Sequence, residues 1–145
     1  MKTAKLSARL SQENLSMNSP FNTHGALSWH ELTANDSERA MRFYGEIFGW
    51  SFKTMQLPQG PYHIIENEGI GIGGITDSPA PAMPSNWTGY ITVKDVDAVA
   101  IKAKALGGDI LYGPENIPQV GRFCWIKDPC GAIIAAITYT QSGED

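Results

Sequence analysis

The sequence has few cysteines, no excess of basic residues and no long apolar run. Its 145 residues include two cysteines and carry a formal net charge of −4. A protein that binds nucleic acid by neutralising phosphates needs the opposite balance of charge. A membrane-spanning helix needs roughly 20 consecutive apolar residues, and no stretch approaches that length. We therefore expect neither a nucleic-acid partner nor a membrane partner.

The two cysteines do not suggest a disulfide. Cys124 falls in a predicted strand and Cys130 in the turn after it, so their side chains would not face each other as a bridge requires. Two reduced thiols are typical of a reducing compartment. No apolar segment follows the basic residues near the N-terminus, which disfavours a secretory signal. The cytoplasm is the expected location.

What the sequence does contain is turn residues, with 15 glycines and nine prolines. The first half predicts a strand at 27–33 and then a helix, which Asn35 or Asp36 can cap at its N-terminus. Gly49 stands where a helix-ending glycine belongs. Three further strands are predicted at 50–56, 62–66 and 70–75.

The last of these strands is rich in glycine. Gly71, Gly73 and Gly74 could suggest a phosphate-binding loop, but no capped helix follows them. A bulged strand in which backbones approach closely is the favoured interpretation.

The same order restarts after a proline-rich segment. Asp95 can cap a second helix, which the glycine pair 107–108 ends. The two halves superimpose with a constant shift of 59 residues, from Asp36 to Asp95 and from Gly49 to Gly108. Since the shared positions are the structurally demanding ones, the shift indicates an internal repeat. The strands predicted in the second half are 87–93, 109–112, 122–127 and 132–139.

These patterns predict an α+β protein made of tandem βαβββ modules. A flexible segment is expected before the first module, a linker between the modules and a short tail after the second. The expected boundaries are 1–24 for the flexible extension, 25–76 for the first module, 77–86 for the Pro-rich linker, 87–140 for the second module and 141–145 for the tail.

The repeat resembles the vicinal oxygen chelate superfamily, which includes glyoxalases, bleomycin-resistance proteins and extradiol dioxygenases. The resemblance is carried by the helix segment from Asp36 to Trp50, by the segment Val93–Ala98, and by the Asp-Pro-Cys-Gly turn at 128–131. It implies a cupped mixed β-sheet with the helices packed outside and the functional site inside the cup.

Strand alternation predicts which side chains line that cup. An apolar ligand pocket is favoured because aromatic residues are prominent among them, although the same residues could form a core. A small, partly apolar ligand is the expected partner. The predicted pocket residues are Trp29, Glu31, Thr33, Thr88, Tyr90, Phe123, Trp125 and Ala135.

The resemblance also implies where metal ligands would stand. Carried over to this sequence, the usual positions are Trp29, Thr88 and Ala135, which are poor ligands for a divalent cation. We therefore expect no metal and no other cofactor. A divalent metal would need ligands at positions other than the usual ones, and the candidates are Glu31, His63 and Glu66. Apart from that alternative, His63 and Glu66 are expected at the surface, and His30 partly buried near the helices.

Three functions stay open. The first is a metal-independent protein that binds a small molecule. The second is a glyoxalase-like lyase or isomerase, or a dioxygenase-type enzyme, with Glu31 as acid and base; Glu31 could instead pair with Arg122 and be structural. The third is an accessory interaction module. A homodimer is expected, because members of the family often pair and because open sheet edges need covering.

Overall fold

The structure is a computed structural model that describes residues 19–79 and 84–140. Within these residues the chain forms two helices and eight strands. In chain order they are β1 (Leu27–Ala34), α1 (Ser37–Phe48), β2 (Ser51–Leu57), β3 (Gly60–Asn67), β4 (Ile70–Asp77), β5 (Asn86–Thr92), α2 (Val96–Ala105), β6 (Asp109–Ile117), β7 (Gly121–Lys127) and β8 (Ile133–Tyr139).

The described chain divides into two compact units. The first unit runs from Trp29 to Thr88, and the second combines the residues before Trp29 with those after Thr88. Strand β1 therefore begins in the second unit and continues into the first, and β5 does the reverse. Each unit is described separately below.

The first unit is a four-stranded mixed sheet with α1 on one face. Strands β2, β3 and β4 are antiparallel neighbours, and β1 pairs with β4 in parallel. The buried residues between sheet and helix are Leu32, Ala34, Ile65 and Ile75. Burial of these apolar side chains holds α1 against the sheet.

The second unit repeats this plan. Strands β8, β7 and β6 are antiparallel neighbours, and β5 pairs with β8 in parallel. The buried residues between this sheet and α2 are Val93, Val96, Ala100, Cys124 and Ala136. The fold class predicted from the sequence, an α+β protein of tandem βαβββ modules, is confirmed.

Both helices begin with the predicted aspartate. The Asp36 side chain accepts a hydrogen bond from the backbone N–H of Arg39, and the Asp95 side chain accepts one from that of Ala98, each at 3.1 Å. The helix ends are less alike. Gly49 caps α1 with a φ of 73°, whereas Gly107, not Gly108, has the positive φ after α2. The second helix ends at Ala105, two residues before Gly107, the position that corresponds to Phe48 in the repeat.

Strand β6 is longer than the predicted 109–112. It continues to Ile117 through a cis Gly113–Pro114 bond, with register shifts on either side of Tyr112. Proline cannot donate to a ladder and normally ends a strand. Here the irregular pairing with β7 accommodates Pro114, which the sequence pattern did not anticipate.

The residues that precede β1 pack within the second unit. Ser19 is buried, and the ring of Phe21 meets that of Tyr139 edge to face at 5.1 Å. The backbone N–H of Gly25 donates to the carbonyl of Thr92 at 2.7 Å. The rest of the predicted extension (1–18), part of the linker (80–83) and the tail (141–145) lie outside the described residues.

Two further expectations concern cysteines and membranes. Both cysteines lie in the described residues, where Cys124 is buried, Cys130 is exposed and neither forms a disulfide. Neither described helix has the length and apolar character that a bilayer crossing demands.

Candidate functional site

Each sheet has one face covered by its helix and one face turned away from it, which we call the open face. In the first unit, Trp29, Glu31 and Thr33 alternate along β1 with the helix-facing Leu32 and Ala34, so they lie on the open face. All three are half-buried.

Thr88 belongs to the same open face. The preceding residue, Trp87, packs against Tyr44 of α1 on the helix side, so alternation turns Thr88 the other way. Thr88 is buried, and its hydroxyl donates to the side-chain oxygen of Asn86 at 3.2 Å.

The open face of the first unit also holds a residue that the sequence reasoning missed. The indole N–H of Trp29 donates to the hydroxyl of Tyr62 at 2.9 Å. The ring of Tyr62 lies over Gly74, where any Cβ would overlap its hydroxyl. The signal available in the sequence was the glycine-rich strand β4, which leaves room for a large neighbour.

The glycines of β4 also bring backbones together. A Cβ on Gly73 would overlap the carbonyl oxygen of His30 on β1. The pairing of β3 with β4 shifts between Ile65 and Glu66, as a β-bulge does. The prediction of a bulged strand with close backbone approach is confirmed.

The open face of the second unit carries a group of aromatic rings. Phe123 and Trp125 alternate along β7 with the helix-facing Cys124, and the Trp125 N–H donates to the hydroxyl of Tyr90 at 3.2 Å. The rings of Tyr90 and Phe123 lie 6.4 Å apart. Ala135 pairs with both Tyr90 and Trp125 in the sheet and is fully buried beside them.

Tyr112 completes this group and was not predicted. Its ring stacks on Phe123 at 5.7 Å and lies 6.0 Å from Trp125. A hydrogen bond to the Glu115 carboxylate, reinforced by its negative charge, raises the pKa of Tyr112. Tyr112 escaped prediction because the register shift between Ile110, which packs on the helix side, and Tyr112 breaks the alternation along β6. Glu115 escaped because Gly113-Pro114 suggested that the strand ended at Tyr112. We call Tyr90, Tyr112, Phe123 and Trp125 the aromatic face.

Arg122 does not take the role considered for it, and the predicted placement of His30 is wrong. Arg122, considered as a partner of Glu31, instead donates to both carboxylate oxygens of Asp97 at 2.8 and 3.0 Å, because alternation along β7 places it on the helix side. His30 is exposed rather than partly buried near the helices.

His63 was expected at the surface and is instead 7% exposed. Its Nδ1 lies 2.8 Å from the Thr54 hydroxyl, and its Nε2 lies 3.4 Å from the Ser37 hydroxyl at the start of α1. His63 therefore shares the helix-facing side with Ile65, because the two are separated by one residue of β3.

This position also separates the displaced metal ligands considered above. His63 faces α1, whereas alternation puts Glu31 and Glu66 on the open face. Within residues 19–79 and 84–140, no three His, Cys, Asp or Glu side chains come together in a way that could hold a metal ion.

The usual metal positions do not fit a divalent cation either. The Trp29 indole is a donor engaged by Tyr62, and the Thr88 hydroxyl donates to Asn86. The Ala135 side chain has no donor atom at all. Divalent cations in proteins are held mainly by carboxylate, imidazole, thiolate or carbonyl ligands, so this set of side chains does not match the group that the fold implies.

Comparison with known proteins agrees with this architecture. The family model of the Glyoxalase/Bleomycin resistance protein/Dioxygenase superfamily matches residues 26–135. CFP32 of Mycobacterium tuberculosis, named as a glyoxylase, is 36% identical over 117 residues, which cover 80% of this chain and 45% of that protein. A glyoxylase-like domain-containing protein of Didymella fabae is 30% identical over 126 residues, covering 79% of this chain and 94% of that protein.

A further relative is DauV, an anthracycline biosynthesis protein of Streptomyces sp. (strain C5). It is 28% identical over 126 residues, which cover 77% of this chain and 46% of that protein. The chain thus spans somewhat less than half the length of CFP32 and DauV.

Solved structures share the fold at low sequence identity. Methylmalonyl-CoA epimerase from Mycobacterium tuberculosis superimposes with a TM-score of 0.60 at 14% identity, covering 81% of this chain and 89% of that chain. The protein BH1468 from Bacillus halodurans gives a TM-score of 0.64 at 11% identity, covering 85% and 100%. Because the family model matches most of its length, the chain belongs to the glyoxalase/bleomycin resistance protein/dioxygenase superfamily.

Proposed function

We propose that the protein binds a small, partly apolar molecule with planar rings, and that it does so without a divalent metal. The observation that carries the proposal is the aromatic face of the second unit. Tyr112 is 48% exposed while its ring stacks on Phe123. A half-exposed ring supported from below offers a flat surface on which a planar ligand can stack.

The same face offers a polar group beside the rings. The nearby Glu115 carboxylate raises the pKa of Tyr112, while the Trp125 N–H is already engaged by Tyr90. A ligand that carries a hydrogen-bond donor next to its ring system would match the carboxylate. Small-molecule sites commonly combine apolar walls with a few such polar groups. The relative named for anthracycline biosynthesis supports a planar polycyclic ligand.

A titration with doxorubicin, a fluorescent anthracycline with a planar ring system, tests the proposal. We expect saturable quenching by the wild-type chain, and a Kd raised about tenfold in Tyr112→Ala, since losing one stacking partner costs on the order of 1 kcal/mol. Leu111→Ala, on the same strand and similarly exposed at 47%, is the matched control and should bind normally.

Two outcomes count against the proposal. If the wild-type chain gives no saturable quenching, or if Tyr112→Ala binds as tightly as the wild type, the aromatic face is not the site. The metal-free part is tested separately by repeating the titration after dialysis against EDTA. An unchanged Kd supports it, and a Kd restored only by added divalent ions contradicts it.

A second candidate function is acid–base chemistry at Glu31. Glu31 is half-buried on the open face of the first unit, and its partner across the sheet is Gly74, which contributes no side chain. It shares this face with the hydrogen-bonded pair of Trp29 and Tyr62. A carboxylate in such a setting can take a proton from a substrate and return it.

The adduct of methylglyoxal and glutathione is a suitable test substrate, since two relatives are named as glyoxylases. If Glu31 transfers the proton, Glu31→Gln should lower kcat on the order of 100-fold with little change in KM. Glu66→Gln, on the same face, should retain activity. Absence of turnover by the wild-type chain, or equal turnover by Glu31→Gln, would remove this candidate and leave the binding proposal intact.

A further inference from the structure

The side chain of Glu115 lies beside the aromatic face. In the pairing of β6 with β7, Glu115 stands opposite Phe123, and Tyr112 stands opposite Trp125. Side chains that are paired across neighbouring strands lie on the same side of the sheet, so the Glu115 carboxylate shares the open face with the rings. A hydrogen bond to this carboxylate, together with its negative charge, raises the pKa of Tyr112. The carboxylate is therefore within reach of a ligand that stacks on the Tyr112 ring.

The charge of Glu115 is available to a ligand. Among the residues that the structure describes, no Lys, Arg or His side chain forms an ion pair with Glu115. Arg122 precedes Phe123 in the chain, but it turns to the helix side and donates to both carboxylate oxygens of Asp97. Glu115 itself is exposed. A cation that arrives from solution can therefore approach it.

The other acidic side chain of β6 has a different neighbour. Asp109, at the start of the strand, is paired in the sheet with Lys127. Opposite charges across a pair of strands attract each other, so Lys127 partly offsets the charge of Asp109. The partner of Glu115 is an aromatic ring, and the electron-rich face of such a ring attracts cations. Only Glu115 thus adds a negative charge to a surface that already favours cations.

We propose that the ligand of the aromatic face is a cation, namely a planar ring system that carries a protonated amine, and that the amine binds between the Glu115 carboxylate and the ring of Tyr112. This selection of a cation rests on the binding proposed above and goes beyond it, since a neutral hydrogen-bond donor would satisfy that proposal. An ammonium group gains from both contacts, because one is a charge-assisted hydrogen bond and the other a cation–π contact. The net charge of −4 also favours the approach of a cation from solution.

Doxorubicin and its N-acetyl derivative test the proposal in the same fluorescence titration. Doxorubicin carries a protonated amine beside its rings. Acetylation removes that charge but keeps the rings, the sugar and an N–H donor. The wild-type chain should bind doxorubicin about tenfold more tightly than the acetylated form, because only the charged amine can pair with the carboxylate and the aromatic ring.

Glu115→Gln removes the charge of the side chain and nearly keeps its shape. It should weaken the binding of doxorubicin about fivefold and leave the binding of the acetylated form unchanged. Raising the salt concentration from about 0.1 M to about 1 M should reduce the preference of the wild type, since an exposed ion pair is screened. Asp109→Asn, which removes a carboxylate from the same strand, is the matched control and should keep the full preference. Circular dichroism checks that each variant is folded.

Failure of the cation selection and failure of the binding itself give different results. If the wild type binds both forms equally well, the aromatic face takes planar ligands but does not select a cation. If acetylation weakens binding as much in Glu115→Gln as in the wild type, the amine contacts another group and Glu115 is not its partner. If neither form is bound, the binding proposed for the aromatic face is wrong, and the selection of a cation is wrong with it.

Discussion

In each unit one side chain connects the third strand to the start of the helix, and we call this connection a brace. The two braces stand at equivalent positions but differ in their chemistry. His63 on β3 and Arg122 on β7 are 59 residues apart, the same shift that relates the helix caps. His63 lies between the Thr54 hydroxyl of the neighbouring strand and the Ser37 hydroxyl at the first residue of α1. Both units therefore connect the third strand of the module to the first turn of its helix.

In the second unit the same connection is an ion pair. Arg122 donates to the side-chain oxygen of Asn116 on the neighbouring strand at 3.2 Å, and to both carboxylate oxygens of Asp97 in the first turn of α2. The Arg122 and Asp97 side chains are 38% and 52% exposed, whereas His63 is 7% exposed. Burial decides how much each brace contributes, because water can replace the exposed partners but not the buried ones.

The largest difference in the free energy of unfolding is expected when the side chain of each brace is removed. His63→Ala should lower the free energy of unfolding by about 3 kcal/mol, since it leaves a cavity and two hydroxyls without their partner. Arg122→Ala should lower the free energy of unfolding by clearly less. Urea denaturation of both variants measures the contrast. His30→Ala, which removes an exposed histidine of the same unit, should stay within about 0.5 kcal/mol of the wild type.

If His63→Ala and Arg122→Ala lower the free energy of unfolding by the same amount, burial does not decide how much each brace contributes to stability. His63→Gln sharpens the result, because glutamine keeps a donor and an acceptor and should recover part of the lost stability.

The helix caps are expected to behave alike, in contrast to the braces. Asp36→Ala and Asp95→Ala each remove the acceptor of one backbone N–H and should each cost about 1 kcal/mol in the free energy of unfolding. Asp36→Asn and Asp95→Asn should be nearly neutral, since asparagine caps as well as aspartate. A cost of about 1 kcal/mol at one site and none at the other would show that the repeat does not extend to capping.

The smallest effect concerns the pH dependence of the exposed brace. The hydrogen bonds from Arg122 lower the pKa of Asp97 below its ordinary value of 3.8. A lowered pKa in the folded state means that the stabilisation is present above the ordinary pKa and is lost as the pH falls through the lowered one. Arg122→Gln should therefore raise the pKa of Asp97 towards its ordinary value, which an NMR titration of the Asp97 carboxyl carbon measures.

Arg122→Lys keeps the charge but not the two-fold hydrogen bond, so its effect on Asp97 should be intermediate. The pairing would be without consequence in solution if the Asp97 titration were the same in the wild type and in Arg122→Gln. Added salt should reduce the difference between them, because both side chains are exposed.

Local signals in the sequence predicted much of the fold. Asp36 and Asp95 were identified as caps because short acidic side chains satisfy the first backbone N–H groups of a helix. Alternation placed Trp29 and Phe123 away from the helices because successive strand side chains point to opposite faces. Both signals depend on a few neighbouring residues, so they can be read without knowing the rest of the chain.

Local signals failed where residues distant in the sequence determine the extent of a strand or the burial of a side chain. Pro114 normally ends a strand, yet β6 continues past it because the pairing with β7 shifts its register. That continuation brings the Glu115 carboxylate near the Tyr112 hydroxyl, whose pKa it raises. His63 was predicted at the surface because the sequence does not show that β3 brings it to the N-terminus of α1. There its two ring nitrogens lie near the Ser37 and Thr54 hydroxyls.

The sequence by itself determined the repeat, the two capped helices and the face on which the side chains of the regular strands lie, since these follow from backbone geometry and a periodicity of two or 3.6 residues. Tertiary structure alone decided which of those side chains meet. The stacking of Tyr112 on Phe123, the bond from Trp29 to Tyr62 and the exposure of Phe43 on α1 each depend on the register between separate segments, and no local pattern encodes that register.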